Sequence, residues 1–448
     1  MSGSKRINSQ SSTQPLRLLD LDVQNCGLGR RAEMNRKTLP VSGIAKDSVL
    51  DALREMQTRD LPFETAKFNL LTPYADDSFY DVGLRAMDMF SHYNASLARY
   101  IPSVAEVMRD LTDIAMSLQN APEGAGAAIT SGGTESIFTA MWAARDYWRA
   151  QNPTSTAVPE VIAASTVHAA FQKSAHLLGL KLVMTDFDET FRCRPGDIEE
   201  RIGQATAMIV GSAPAYPHGV FDPIADLSDL AVRRGVWLHV DACVGGYVSP
   251  FAEKLGIDIP PYDFRLPGVR SMSADLHKHA YAPKGVSTLI YRDADLLNYQ
   301  SHTSEGWAFG AYRSTGFPGS RPSHVMAAAW AILHHLGEEG YLGLVRRMYA
   351  ARDRLMQEIA AIPGMRILGA PESNVFAFTS ESYDPHAVAE EMASRGWYLA
   401  RIRSPRGLHI QCDPFDDDMI DRAMAALRDC VDVVAAKRRQ SETEYTGY

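Results

Sequence analysis

The sequence predicts an α/β protein: a mostly parallel, seven-stranded sheet with helices on both faces, plus a small α+β domain at the C-terminus. Three observations predict it. Between about residues 127 and 293, short apolar β-rich runs alternate with amphipathic stretches, the trace that parallel strands and crossover helices leave. After about residue 340 the order changes to a long helix, two strands, a helix, two more strands and a closing helix. The 448 residues, 46% hydrophobic and 22% charged, suffice for a large core and a smaller second domain.

Taken in order, residues 1 to about 45 are rich in Ser, Arg, Asn and Gln and read as a partly ordered arm. A helix is expected over 47–60, a loop-rich segment over 68–81 and a second helix over 104–118. Seven strands follow, at 126–130, 160–166, 181–187, 207–214, 236–242, 270–276 and 286–293. Helices are expected between several of them, at 136–148, 168–179 and 224–235; in the first, Ile137, Met141, Ala144 and Trp148 recur at helical spacing. A long helix over 344–362 then leads to strands at 365–369, 374–380, 397–402 and 408–413, with a helix over 384–396. The expected domains are an arm and helix over 1–60, a large domain over 61–340 and the small one over 341–448.

Composition excludes several classes. The net charge of −9 and the short basic runs, such as Lys437-Arg438-Arg439, argue against a nucleic-acid surface. Five scattered cysteines without a CxxC pair point to reduced thiols in a cytosolic setting, with neither disulfides nor a metal site. The N-terminus is polar, so it is not a signal peptide, and no apolar run approaches the ~20 residues that cross a bilayer. A soluble, cytoplasmic protein is expected.

Three motifs carry chemistry. Thr130-Ser131-Gly132-Gly133-Thr134-Glu135-Ser136 joins a strand to a helix, where glycines let the backbone approach an anion and the helix start offers N–H groups. Ser131, Thr134 and Ser136 add hydroxyls. Trp237-Leu238-His239-Val240-Asp241 ends a strand in an acid, placed where ligands bind in open α/β sheets. A carboxylate there can keep a pyridinium nitrogen protonated. Ser273-Ala274-Asp275-Leu276-His277-Lys278 ends another strand in a lysine able to form an imine with an aldehyde cofactor. Alone, each has an ordinary reading: a capped turn, a common strand-end acid, an exposed lysine. Their order along the chain overturns those readings. His168 follows the second strand and could stack on a flat ring; Gly319-Ser320-Arg321-Pro322 opens a helix that could hold a phosphate.

With HAAFQK, PHGVFDP, HVDACVGG, SADLHKHAYAPKG and GSRP, these segments resemble the sphingosine-1-phosphate lyase family, in the group II decarboxylase superfamily dependent on pyridoxal 5′-phosphate (PLP). The resemblance runs from about residue 60 to the C-terminus. It implies a PLP-dependent transferase of fold type I, and a homodimer sharing its active sites. By that resemblance Lys278 matches the Schiff-base lysine, Asp241 the pyridinium partner and His168 the stacking histidine; Gly133, Thr134, His277, Asn94 and Ser320 match other cofactor-binding positions. Lys284 matches a second active-site lysine that holds substrate phosphate, and Tyr74, with Tyr80 as the alternative, the catalytic tyrosine. The chain departs from the family in two places. Leu97 stands where a phosphate-binding histidine is expected, and beside Tyr312 an arginine, Arg313, replaces a small residue. Arg313 offers a fork for phosphate or carboxylate and could compensate for Leu97, or could be a plain surface arginine. The family's eukaryotic members carry a membrane anchor that is not seen here, which fits a soluble, bacterial type.

The implied reaction is retro-aldol cleavage of a phosphorylated sphingoid base to a long-chain aldehyde and phosphoethanolamine. The alternative is decarboxylation of an L-amino acid with the same lysine, acid and histidine. A silent PLP-binding scaffold is disfavoured because Lys278, Asp241, His168 and Lys284 all persist.

Overall fold

The structure is a computed structural model that describes residues 38–441, apart from 61, 67, 70–72 and 76. Most of the arm expected over residues 1–45 lies outside the described residues, as does Cys26. The described residues divide into two compact units. One, residues 38–60, holds helix α1 (Lys46–Gln57), close to the expected 47–60.

The other unit is built on a seven-stranded sheet of β1 (Gly126–Thr130), β2 (Glu160–Ala164), β3 (Lys181–Thr185), β4 (Thr206–Ser212), β5 (Trp237–Asp241), β6 (Val269–Ala274) and β7 (Ser287–Tyr291). Every expected strand forms, in the spatial order β1-β7-β6-β5-β4-β2-β3. All are parallel except β7, which runs against both β1 and β6. In the central strands β4, β5, β6 and β7 nearly every side chain is buried, on both faces, which is why they read as near-continuous apolar runs; β3, at the sheet edge, is only partly covered.

Before and between the strands lie α2 (Phe63–Ala66), α3 (Asp77–Phe90), α4 (Pro102–Leu118), α5 (Gly133–Gln151), α6 (Ala170–Leu178), α7 (Pro195–Glu199), α8 (Ile224–Arg234) and α9 (Ser249–Lys254). In α5, Ile137, Met141, Ala144 and Trp148 are buried, as their spacing predicts. The loop-rich reading of 68–81 is corrected at its end, because α3 begins at Asp77. Gly83 seats this helix close against Ile332, where an added Cβ would stand 2.9 Å from the isoleucine side chain. Tertiary packing, with Phe79 buried, overrides a segment of weak helix formers.

Beyond β7, the short hairpin β8 (His302–Ser304) and β9 (Tyr312–Ser314) leads to α10 (Ser323–Ala360). This helix starts well before the expected residue 344 and is broken at Gly337, whose φ of 57° and ψ of −178° are open to glycine alone. The C-terminal sheet, in the order β10-β11-β13-β12, is antiparallel: β10 (Met365–Leu368), β11 (Val375–Ser380), β12 (Ala400–Ile402) and β13 (Gly407–Gln411). Helices α11 (Pro385–Ser394) and α12 (Asp417–Lys437) complete it.

Candidate active site

Because β1, β2, β4, β5 and β6 are parallel, their carboxyl ends share one edge of the sheet, and the three motifs meet there. The register fixes the meeting: Ser212 pairs with Asp241, Asp241 with Ser273, Ala274 with Thr288, and Thr130 with Ser287. Residues 275–286 loop between β6 and β7 and carry His277, Lys278 and Lys284.

Asp275, which the sequence reading left without a role, anchors this loop. Its carboxylate, 2% exposed, lies 3.2 Å from Lys278 Nζ and 3.5 Å from His277 Nε2, and accepts from Ser287 Oγ at 2.5 Å. Burial would raise its pKa, but Lys278, His277 and the Ser287 hydroxyl hold it well below the usual carboxylate range. Lys278 shows the mirror image: burial pulls its ammonium down, yet Asp275, Cys243 and Asp241 outweigh that and raise it. Lys284 donates to the His277 carbonyl at 3.0 Å. Burial and the neighbouring Lys278 lower its pKa, with Asp275 and Asp413 opposing.

Asp241 closes the other side. Its Oδ1 accepts from the Cys243 N–H at 3.1 Å and from Ser273 Oγ at 3.3 Å. Among the described residues no donor reaches its Oδ2.

At the start of α5, Gly132 and Gly133 leave no room for side chains. A Cβ on Gly132 would stand 2.8 Å from the His277 ring, and one on Gly133 2.7 Å from Cys243 Sγ and 2.8 Å from Asp275 Oδ2. The three hydroxyls of this motif part company. Ser136 is buried between Thr130 and Ser287, at 2.6 and 3.2 Å, and Ser131 bonds Glu135. Thr134 alone stays exposed at the helix start without such a bond.

The remaining candidates lie at different distances from this centre. His168 follows β2 on the same sheet edge and is exposed, its Nδ1 accepting from the Ala170 N–H at 3.1 Å. Tyr74 stacks on Tyr80 with ring centroids 5.3 Å apart; the Tyr80 hydroxyl is committed to the Pro73 carbonyl at 2.5 Å. The Tyr74 N–H donates to Asp413 at 3.3 Å, and Asp413 in turn faces His279 at 3.7 Å, next to Lys278. Asn94 donates to Ser320 Oγ at 3.1 Å and accepts from the Arg321 N–H at 3.1 Å, tying the segment before α4 to the start of α10. Tyr312 and Arg313, on β9, are exposed; Arg313 reaches Asn298 at 3.3 Å, and none of its described contacts joins it to Leu97, itself exposed, or to the Lys278 loop. Within one chain, therefore, Gly133, Asp241, His277, Lys278 and Lys284 come together, while Tyr312 and Arg313 do not join them.

Against known proteins, residues 102–379 match the pyridoxal-dependent decarboxylase conserved domain. The sphingosine-1-phosphate lyase of Arabidopsis thaliana is 33% identical over 423 residues, 93% of this chain and 77% of that protein. The solved sphingosine-1-phosphate lyase of Burkholderia pseudomallei is 35% identical, with a TM-score of 0.85 over 90% of this chain and 94% of its own. The chain belongs to the sphingosine-1-phosphate lyase family. A probable L-tyrosine/L-aspartate decarboxylase of Methanothrix thermoacetophila is also similar, 33% identical over 88% of this chain.

PLP is the cofactor of this lyase family, and the residues fit it. The backbone cradle at Gly132 and Gly133 suits a phosphate at a helix start. His277 Nδ1 is buried without a partner, a polar atom awaiting one. Asp241 keeps one carboxylate oxygen open. No group of His, Cys, Asp and Glu among the described residues is arranged to hold a metal.

Proposed function

We propose that this chain is a PLP-dependent lyase that cleaves a phosphorylated sphingoid base to a long-chain aldehyde and phosphoethanolamine. The observation that carries the reading is the loop after β6, which presents two ammonium groups, Lys278 held against Asp275 and Lys284 on the His277 carbonyl. One suits carbonyl chemistry; the other suits a substrate phosphate.

Bound PLP would supply an electron sink for the electrons of the breaking Cα–Cβ bond. The chain's residues do the rest. Gly133, Thr134 and His277 would hold the cofactor phosphate, Asp241 would keep the ring nitrogen protonated, and His168 would stack on the ring. Lys278 would offer its amine to the cofactor carbonyl, and Asp275, 3.2 Å away, is the group placed to hold the proton-bearing form of that amine. The proton of the substrate 3-hydroxyl goes to Lys278 or to Tyr74. Lys284 binds the substrate phosphate.

The working form is a homodimer, with Asn94, Ser320, Tyr312 and Arg313 facing the partner's site. Trp307, Phe309 and Phe317, 54%, 89% and 72% exposed, support this, since a lone chain leaves an aromatic surface open around the β8–β9 hairpin. A cytoplasmic location is supported by four free, buried cysteines and by the lack, among the described residues, of a helix long and apolar enough to span a membrane.

Purified protein is mixed with PLP and then with a phosphorylated sphingoid base. The reading expects a visible absorbance band that disappears in Lys278→Ala, and release of a long-chain aldehyde. Leu97, at the family's histidine position, favours one rival, amino-acid decarboxylation; carbon dioxide from L-tyrosine or L-aspartate without aldehyde from the lipid would establish it instead.

A further inference from the structure

A row of polar side chains runs through the apolar interior behind Asp241. Trp237, His239 and Asp241 alternate along β5 and so share one face. Ser271 and Ser273 lie opposite His239 and Asp241 on β6. His239 and both serines are fully buried, in a layer with Met208, Val210 and Phe171, whose ring centre is 6.0 Å from the imidazole. Burying such groups costs free energy unless each is paired.

They are paired in one continuous chain. Trp237 Nε1 donates to Ser271 Oγ at 2.7 Å, and Ser271 Oγ lies 2.8 Å from His239 Nδ1. His239 Nε2 lies 3.4 Å from Ser273 Oγ, which donates to Asp241 Oδ1 at 3.3 Å. The protons can be assigned from the Asp241 end. The carboxylate only accepts, so the single Ser273 proton points to it, and Ser273 must then accept from His239. His239 therefore carries its proton on Nε2 and accepts at Nδ1 from Ser271, whose oxygen takes the indole N–H. Cys243 Sγ, 3.3 Å from Ser273 Oγ, adds a second donor to the same oxygen. Burial supports this assignment: it pulls the His239 pKa down to about 4, with Asp241 opposing, and pushes the Cys243 thiol well up.

We propose that His239 is a positioning residue for Asp241: through Ser273 it orients and polarises the carboxylate, fixing Oδ1 as the acceptor and leaving Oδ2 for the cofactor ring nitrogen. This deepens the PLP-binding reading and rests on it. Hydrogen bonds in a chain strengthen one another, and those ending on a charged group are the stronger kind.

The test measures cofactor affinity with a Lys278→Ala chain, which must hold PLP by non-covalent contacts. His239→Leu and, separately, Ser273→Ala are added, and each protein is titrated with PLP and with a carbocyclic analogue carrying C–H in place of the ring nitrogen. The relay expects PLP binding to weaken about tenfold, the size of one charged hydrogen bond, in both variants. Analogue binding should change far less, because the analogue has no ring nitrogen for Asp241 to hold. His239→Gln, which keeps an N–H toward Ser273, should recover most of the lost affinity. Equal weakening for both ligands would assign His239 a packing role and overturn the proposal, as would unchanged PLP affinity. If the wild-type chain takes up no PLP with a Lys278-dependent band, the cofactor reading falls instead, which keeps the two failures apart.

Discussion

Asp413 shows how burial alone can change what a carboxyl is. It sits just past β13, 4% exposed, with Oδ2 accepting from the Tyr74 N–H and Oδ1 making no hydrogen bond, 3.7 Å from His279 Nε2. Burial pushes its pKa up to about 8, against the Tyr74 N–H and Lys284, which pull the other way. The unfolded carboxyl ionises near 4, while the folded one keeps its proton to about 8. Between those values folding takes up a proton, so stability falls as pH rises and the loss is complete above about 8. Asp413→Asn should therefore match wild type in melting temperature near pH 4 and exceed it increasingly up to pH 8, by up to about 1.4 kcal/mol per pH unit. Parallel melting curves across that range would contradict the assignment. The sequence offered no sign of this residue, which lies 135 positions beyond Lys278 and reaches the loop only through the fold. Asp275 was nearer to hand: an acid three residues before a reactive lysine, inside a motif already singled out, is a signal that could have been used. His239 was legible too, as a polar residue two before Asp241 on the same strand face.

The strands were the most readable elements, because each is a short, largely apolar run between turn residues, buried on both faces in the centre of the sheet. Helices that depend on a particular neighbour were not. α3 was hidden in DDSFYD, and what holds it is the close approach of Gly83 to Ile332 on α10. The break in α10 was hidden for a related reason, since one glycine in a helical pattern does not announce its dihedral angles. With φ at 57° and ψ at −178°, Gly337 occupies a region that a Cβ excludes. Gly337→Ala should cost about 1–3 kcal/mol, seen as a lower midpoint in urea with an unchanged slope. No loss would mean that the two halves of α10 can straighten without penalty.

For the whole molecule, the large sheet and the small antiparallel one were both legible, because their periodicities differ along the chain. What the sequence could not place was anything that needs two chains. Tyr312 and Arg313 stand on an exposed hairpin with Trp307 and Phe309, and none of their described contacts reaches the Lys278 loop of their own chain. If that surface is the dimer interface, sedimentation should give a dimer for wild type. Trp307→Glu with Phe309→Glu should shift it toward monomer and lower lyase activity together. A fully active monomer would remove the shared-site reading. The antiparallel strand β7 has a further meaning. It is the sole described ladder between β1, which leads into Gly133, and β6, which leads into Lys278. A sheet joined this way opens like a clasp. Loosening β7 would weaken the sheet's link between cradle and lysine, leaving the close packing of Gly133 on Cys243 and Asp275 to hold them, so local melting and loss of cofactor affinity are coupled. Each cofactor bound then raises the free energy of that opening, and the ligand serves as the pin of the clasp that holds it.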